Sequence, residues 1–324
     1  MRPALLWAVA LTFGPAPAFA DAAADWLLKV SEAARQVNYQ GVVVYRDGQR
    51  MDVMRLVHRQ QDGRVQERLT SLTGRPRDIL REGDRVAFLA GDEPVQSAGS
   101  QTLLPTLSAD LLTQAADHYE YRDLGEARVA GRACRGVMMA PLDEFRYGYE
   151  ICGDAETAVP LRVTLVDRHG RTVEQLLFTE IAFPSRIADS AFTPPPGAMP
   201  VAAGVAAPAV TAPETWRLVT LPPGFRIVRR ELAPSPDGQG MIEHVQLSDG
   251  LSAVSVFGVH PAAPDKAFRG LSHMGATSAY GRRVGTFHIT VIGEVPPGTV
   301  RMIGDGFAAG GSPEAEAQPA NLTE

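Results

Sequence analysis

The stretch GVVVYRDGQRMDVMRLVHRQQDGRVQERL, Gly41 to Leu69, mixes β-branched and aliphatic residues with polar ones and is cut twice by Asp-Gly, at Asp47-Gly48 and Asp62-Gly63. Asp-Gly readily supplies the positive φ angles of a two-residue hairpin turn, so the stretch points to antiparallel strands joined end to end. REGDRVAFLAGDEPV continues in the same style, and strand-like runs return from about Tyr119 to Phe183, with another turn at His169-Gly170. Two segments break the pattern. In DWLLKVSEAARQVNYQG, the residues Leu27, Val30, Ala34 and Val37 recur at helical spacing, and Gly41 can stop the helix. In LPTLSADLLTQAADHY, Ser108 can cap a helix, with Asp110 in its first turn. The expectation is an antiparallel sheet with one helix before it and one inserted midway.

An antiparallel sheet normally buries one face and wets the other. Several runs here, GVVVY, GVMMA and EQLLFTEIAF, are apolar at successive positions. Two readings follow: a core covered completely by the two helices, or a curved sheet whose apolar concave side holds a greasy ligand. Periodicity alone favours the covered core.

The first 20 residues have the form of an export signal: Arg2, an apolar run from Ala4 to Phe13, and a small-x-small end at Ala18-Phe19-Ala20. No cysteine stands at that junction, so a lipoprotein is not expected, and no later stretch is apolar and long enough to span a bilayer. The expected product is exported and periplasmic. Losing Arg2 with the leader takes the formal charge from −6 to −7, against a general nucleic-acid binder, which needs a basic face. The remaining length suits two domains. Pro184 to Pro213 contains TPPPGAMPVAAGVAAPAVTAP, a nearly uncharged Pro/Ala-rich run that reads as a semi-rigid linker. Strand-like runs then resume, with a turn at Ser248-Asp249-Gly250, and PPGTVRMIGDGF suggests a short helix weakened by Gly304 and Gly306. The expected division is therefore 1–20 leader, 21–183 first domain, 184–213 linker, 214–307 second domain and 308–324 disordered tail.

Cys134 and Cys152 are the only cysteines. In an oxidising compartment an even pair reads as a disulfide, and the turn near Pro141–Asp143 could bring them together. A loop of this size would contribute about 3 kcal/mol. The alternative is two buried thiols on different strands.

Catalytic signals are weak. Gly270-Leu-Ser-His-Met274 lacks the last glycine of a nucleophile elbow. Ser272 and His273 would also point to opposite faces of an extended chain. His244, His260, His273 and His288 are isolated, without metal-ligand spacing, and there is no Gly-rich phosphate loop. Nothing supports an enzyme, a cofactor or a metal site.

The run PLRVTLVDRHGRTVEQLLFTEIAF (Pro160–Phe183) resembles the Pro-Leu…Leu-x-Asp-x-x-Gly-x-x-x-Glu-Gln pattern of the MucB/RseB family, as does RYGYEI before it. LPPGFRIVRRE, HVQLSDGLSAVSVF and GATSAYGRRVGTFHITVIGEVPPGTVRMI resemble that family's C-terminal domain nearly in register. The resemblance implies an α+β chain: a LolA/LolB-like unclosed antiparallel β-barrel with helices, then a smaller antiparallel β-rich domain. It also shifts the balance towards a lipid-binding concavity. Val42, Val44, Val53, Phe88, Leu165 and Leu177 are its candidate lining residues, chosen by alternation. The implied function is periplasmic negative regulation of an envelope-stress sigma factor. The partner is the periplasmic domain of a membrane-anchored, RseA/MucA-like anti-sigma factor, which the regulator shields from its site-1 protease. Mislocalised lipopolysaccharide or lipoprotein acyl chains release it. Tyr280, Arg282 and Arg283, read as a loop before TFHITVIGEV, are the candidate partner contacts, since Tyr and Arg are enriched at interface hot spots; plain solvation is the competing reading. A lipid or lipoprotein carrier is the alternative function, and homo-oligomerisation is left open.

Overall fold

The computed structural model describes residues 18–48, 50–83, 85–90, 107–194, 201–202, 216–234, 241–259, 268–285 and 287–309. Helix α1 (Ala18–Gln36) is followed by β1 (Tyr39–Asp47), β2 (Arg50–Gln61), β3 (Arg64–Ser71), β4 (Asp78–Glu82) and β5 (Arg85–Ala90). The short helix α2 (Ala109–Ala115) precedes β6 (Tyr119–Val129), β7 (Arg132–Pro141), β8 (Gly148–Asp154), β9 (Pro160–Val166) and β10 (Thr172–Ala182). A two-residue strand, β11 (Val201–Ala202), completes an eleven-stranded sheet in the order β11-β5-β4-β3-β2-β1-β10-β9-β8-β7-β6. Its end strands, β11 and β6, do not pair with each other, so the sheet is unclosed.

The sheet curls around α1. Leu27 and Val30 pack with Val137, Ile151 and Val163, while Ala33 on the same helix packs with Val43, Leu56 and Phe178. Those partners run from β2 to β7, five strands apart, so the face that holds α1 is the concave one. Burying Leu27 and Val30 there contributes roughly 1.5–3 kcal/mol each. The helix ends at Gln36, earlier than its periodicity suggests: Val37 follows it and Gly41 already lies in β1. Asp62 and Gly63 both take positive φ (53° and 74°) at the β2–β3 turn. Ser108 accepts the Leu111 N–H at 3.2 Å as the cap of α2.

Composition places a linker from Pro184, but 184–194 is a strap on the opposite, outer face. Ile187 and Phe192 are buried against Val57 and Leu80. Arg59 donates to the Ile187 carbonyl at 2.9 Å, pairs with Asp189 and lies over the Phe192 ring. Arg68, paired with Asp78, donates to the Ala191 and Thr193 carbonyls. Two apolar anchors among Pro, Ser and Ala are too few for composition to reveal.

The second unit comprises β12 (Trp216–Leu218), β13 (Arg226–Pro234), β14 (Met241–Ser248), β15 (Ala253–Val259), β16 (Gly270–Met274), β17 (Thr277–Val284), β18 (Phe287–Glu294), helix α3 (Pro297–Asp305) and β19 (Phe307–Ala309). Six of these strands form a sheet in the order β13-β14-β15-β18-β17-β16, and β12 pairs with β19. Val300 and Ile303 of α3 pack on Val245, Val256, Ile289 and Val291. Gly304, a poor helix former, is there for space: a Cβ would lie 2.5 Å from Cδ1 of Tyr280. The tail expected from 308 lies outside the described residues from 310 onward; Ala308 and Ala309 still belong to β19.

Candidate functional site: the domain seam and its neighbouring surfaces

Arg146, on the β7–β8 connection, is the largest of the fully buried side chains among the described residues, and it crosses from the first domain into the second. Its Nε donates to Asp143 of its own loop at 3.0 Å, its Nη1 to Asp249 Oδ2 at 2.7 Å and its Nη2 to the Pro223 carbonyl at 2.5 Å. The guanidinium lies 5.8 Å from the Tyr119 ring centre and 5.4 Å from that of Phe225, one ring from each domain. The other oxygen of Asp249 accepts the Leu251 and Ser252 N–H groups, which fixes the β14–β15 turn. A buried charge is tolerable only when paired and hydrogen-bonded, and this one is satisfied from three sides. Beside it, Thr299 Oγ1 of α3 donates to the Phe145 carbonyl at 2.8 Å.

A second contact lies at the ends of β1 and β10. Glu174 Oε1 accepts the Ala276 N–H at 2.8 Å, from the β16–β17 turn. That turn is closed by Gly275 at φ 59°, where a Cβ would collide with the carboxylates of Asp47 and Glu174. Burial raises the Glu174 carboxyl above its usual range; the neighbouring Asp47 and Glu294 charges push the same way, against the hydrogen bonds from Ala276 and Tyr45. Burial and Glu174 likewise push the Tyr45 hydroxyl far up. Arg50 Nη1 approaches Met274 Sδ at 4.0 Å beside this contact.

The candidate lining residues do not converge. Val43, Met54 and Phe178 point towards α1, so Val42, Val44, Val53 and Leu177 point away from it. The register pairs Val44 with both Val53 and Leu177, which places a half-buried aliphatic stripe on the outer face, not in the concavity. Alternation identifies such a set but not its side, and one residue of parity reverses it. Leu165 lies on the α1 side, opposite Glu174 and Tyr149. Phe88 pairs with Ile79 and Val201 through its backbone, and its side chain is outside the described residues. The concave face is occupied by α1. A cleft of about 350 Å³ runs alongside the helix, lined by Trp26, Lys29, Ala33 and Val37 and by the β8–β9 turn at Ala155–Ala158.

Tyr280, Arg282 and Arg283 stand in strand β17, not in a loop. The Tyr280 hydroxyl and Arg282 Nη1 both donate to Asp305 Oδ1, at 2.9 and 3.0 Å, and so hold the C-terminal end of α3. Arg283 is exposed, its Nε bonded to the Gly285 carbonyl. Ser272 and His273 are both exposed on β16, opposite Ala279 and Ser278.

Cys134 and Cys152 are joined, with Cα atoms 5.5 Å apart, on neighbouring strands and packed with Val129 and Leu161. On the open face of the smaller sheet, Glu231, His244 and Ser255 form a hydrogen-bonded row, with His244 Nδ1 3.1 Å from Glu231 and Nε2 3.0 Å from Ser255. Ser255 sits in a strand paired on both sides, so its neighbouring amides belong to the ladder and are not free to form an oxyanion hole. The row fastens three strands together. Among the described residues, no group of three or more His, Cys, Asp or Glu could hold a metal, and no helix is long and apolar enough to cross a membrane.

The models for the MucB/RseB N-terminal domain and MucB/RseB C-terminal domain match residues 22–196 and 210–308. The chain belongs to the MucB/RseB family. Similar proteins include the sigma factor AlgU regulatory protein MucB of Pseudomonas aeruginosa, 33% identical over 309 residues, covering 94% of this chain and 95% of the relative. The sigma-E factor regulatory protein RseB of Escherichia coli K12 is 27% identical over 296 residues, 88% of this chain and 90% of the relative. Among solved structures, the Pseudomonas aeruginosa MucA/MucB complex matches with a TM-score of 0.72 at 29% identity, over 90% of this chain and 100% of that one. A crystal structure of MucB gives 0.63 at 27% identity, over 90% and 98%. The first MucB/RseB match ends at 196, so it takes in the strap.

Proposed function

We propose that this chain is a periplasmic regulator, exported by its 1–20 leader, that binds the periplasmic domain of a membrane-anchored, MucA-like anti-sigma factor. Bound there, it shields that domain from its first protease and so restrains the envelope stress response. The observation that carries this reading is the match of both domains, in one alignment, to MucB solved in complex with MucA. The seam adds physical support. Arg146 fixes the first domain against the second, so a partner meets one continuous surface rather than two independently moving domains. Tyr280, Arg282 and Arg283 are the proposed partner contacts, with Arg283 the most available.

Acylated molecules, from lipopolysaccharide or lipoprotein, are the proposed antagonists. An acyl chain entering the cleft beside Trp26 and Val37 would compete with α1 for the apolar concave face. Each buried CH₂ contributes about 0.8 kcal/mol, so a long chain can offset a large part of a protein–protein affinity. The outer stripe of Val42, Val44, Val53 and Leu177 is the second surface to test. Antagonism requires the ligand to prefer the partner-free state, and by reciprocity the partner weakens ligand binding by the same factor.

The test is calorimetric titration of the mature chain with the periplasmic domain of its anti-sigma factor, repeated with a triacylated peptide below its aggregation threshold. Saturable 1:1 binding, weakened by the peptide, is expected. Absence of binding removes the regulator reading; undiminished affinity with the peptide shown to be bound removes the antagonism.

A further inference from the structure

The two edges of the smaller sheet differ. Strand β13 carries the devices that stop an edge from recruiting another strand: a break in register at Val228, and the charges of Arg226, Arg229 and Arg230. Strand β16, at the other edge, carries none of them. Its pairing with β17 is unbroken, it holds neither proline nor carboxylate nor Lys/Arg, and all five of its residues are exposed. Leu271 and Met274 leave 47% and 64% of their surface to solvent. No described strand pairs with its outer edge.

Charge runs in opposite senses at the two ends of β16. Gly270 pairs with Gly281, so Arg269 lies at the end where Arg282 and the exposed Arg283 continue β17. Beyond Met274, the turn meets Asp47 and Glu174, and Glu294 pairs with Thr277. The turn that ends β16 is also the one the first domain holds through Glu174.

We propose that the partner docks on β16 by strand addition: an extended segment of the anti-sigma factor's periplasmic domain forms a seventh strand on this edge. The segment carries an acidic residue at the Arg269 end, none at the Met274 end, and small or apolar residues that cover Leu271 and Met274. Main-chain hydrogen bonds supply affinity in this mode, and alternate side chains supply specificity. Because the β16–β17 turn rests on Glu174, occupation of the edge is mechanically tied to the domain seam. The inference rests on the regulator reading above.

Hydrogen exchange on the full mature chain, with and without the anti-sigma periplasmic domain, tests it. The β16 amides are expected to gain protection on binding while the β13 amides do not. Leu271→Pro and Ser272→Pro probe adjacent positions; between them one amide faces the open edge. With thermal unfolding confirming the fold, the variant lacking that amide should bind at least tenfold more weakly. Arg269→Glu should weaken binding and an Asp→Lys change in the docked segment should restore it. Binding with no change in β16 protection overturns strand addition and leaves the regulator reading standing; no binding by the unaltered chain overturns both.

Discussion

At one end of the seam Arg146 carries a positive charge into the second domain; at the other, Glu174 presents a carboxylate to that domain's backbone. Arg146 meets two carboxylates, a carbonyl and two aromatic rings, and each of its three nitrogens has a partner. Glu174 has one backbone N–H and one tyrosine for support, with Asp47 and Glu294 nearby as further negative charges. The first contact is an ion pair with its own set of hydrogen bonds. In the second, burial and like charges raise the carboxyl's pKa against the pull of the Ala276 hydrogen bond. A seam built this way has one permanent point and one that conditions can adjust.

The seam is most sensitive at its permanent point. Arg146→Ala strands the buried Asp249 carboxylate, and removing one partner of a buried pair typically costs about 3–5 kcal/mol. Chemical denaturation should then resolve two transitions, one for each domain, where the unaltered chain shows a more cooperative loss. The Cys134–Cys152 bridge offers a contrast within the first domain alone. Reducing it should lower that domain's stability by roughly 3 kcal/mol and leave the second domain's transition in place.

Gly304→Ala tests packing away from the seam. Its Cβ must displace the Tyr280 ring, which costs about 1–3 kcal/mol and loosens α3, seen as faster exchange of the α3 amides.

Glu174 gives the smallest effect but the most distinctive one. Its carboxyl is raised in the folded chain, so the folded chain binds more protons than the unfolded one between the ordinary and the raised values. Stability must therefore increase as pH falls through that window and decrease as pH rises through it. Thermal unfolding should follow this sign, and Glu174→Gln should flatten the dependence. A dependence of the opposite sign would mean that Glu174 is held ionised by the seam.

Much of this architecture is legible in short stretches. Asp62-Gly63 makes its hairpin, Ser108 caps its helix, and Cys134 and Cys152 meet across neighbouring strands, because each signal acts through its own few bonds. The seam is different. Arg146 sits in RYGYEI, a run that marks the family, yet nothing local distinguishes an arginine buried against Asp249, 103 residues away, from a solvated one. The side of the sheet taken by Val42 and Val44 was hidden for a related reason: period two defines two faces, and only α1, packed on Val43, says which is inner. Gly304 looked like a weakness in its helix because the tyrosine it admits lies on another element.

Site-1 cleavage of the anti-sigma periplasmic domain reports the regulatory function itself. The time course would be compared alone, with the mature chain, and with the chain plus a triacylated peptide. Cleavage should be slowed by the chain at stoichiometric concentration and restored by the peptide, with Arg146→Ala protecting poorly. Cleavage at the unprotected rate, with the complex shown to be formed, would contradict that function.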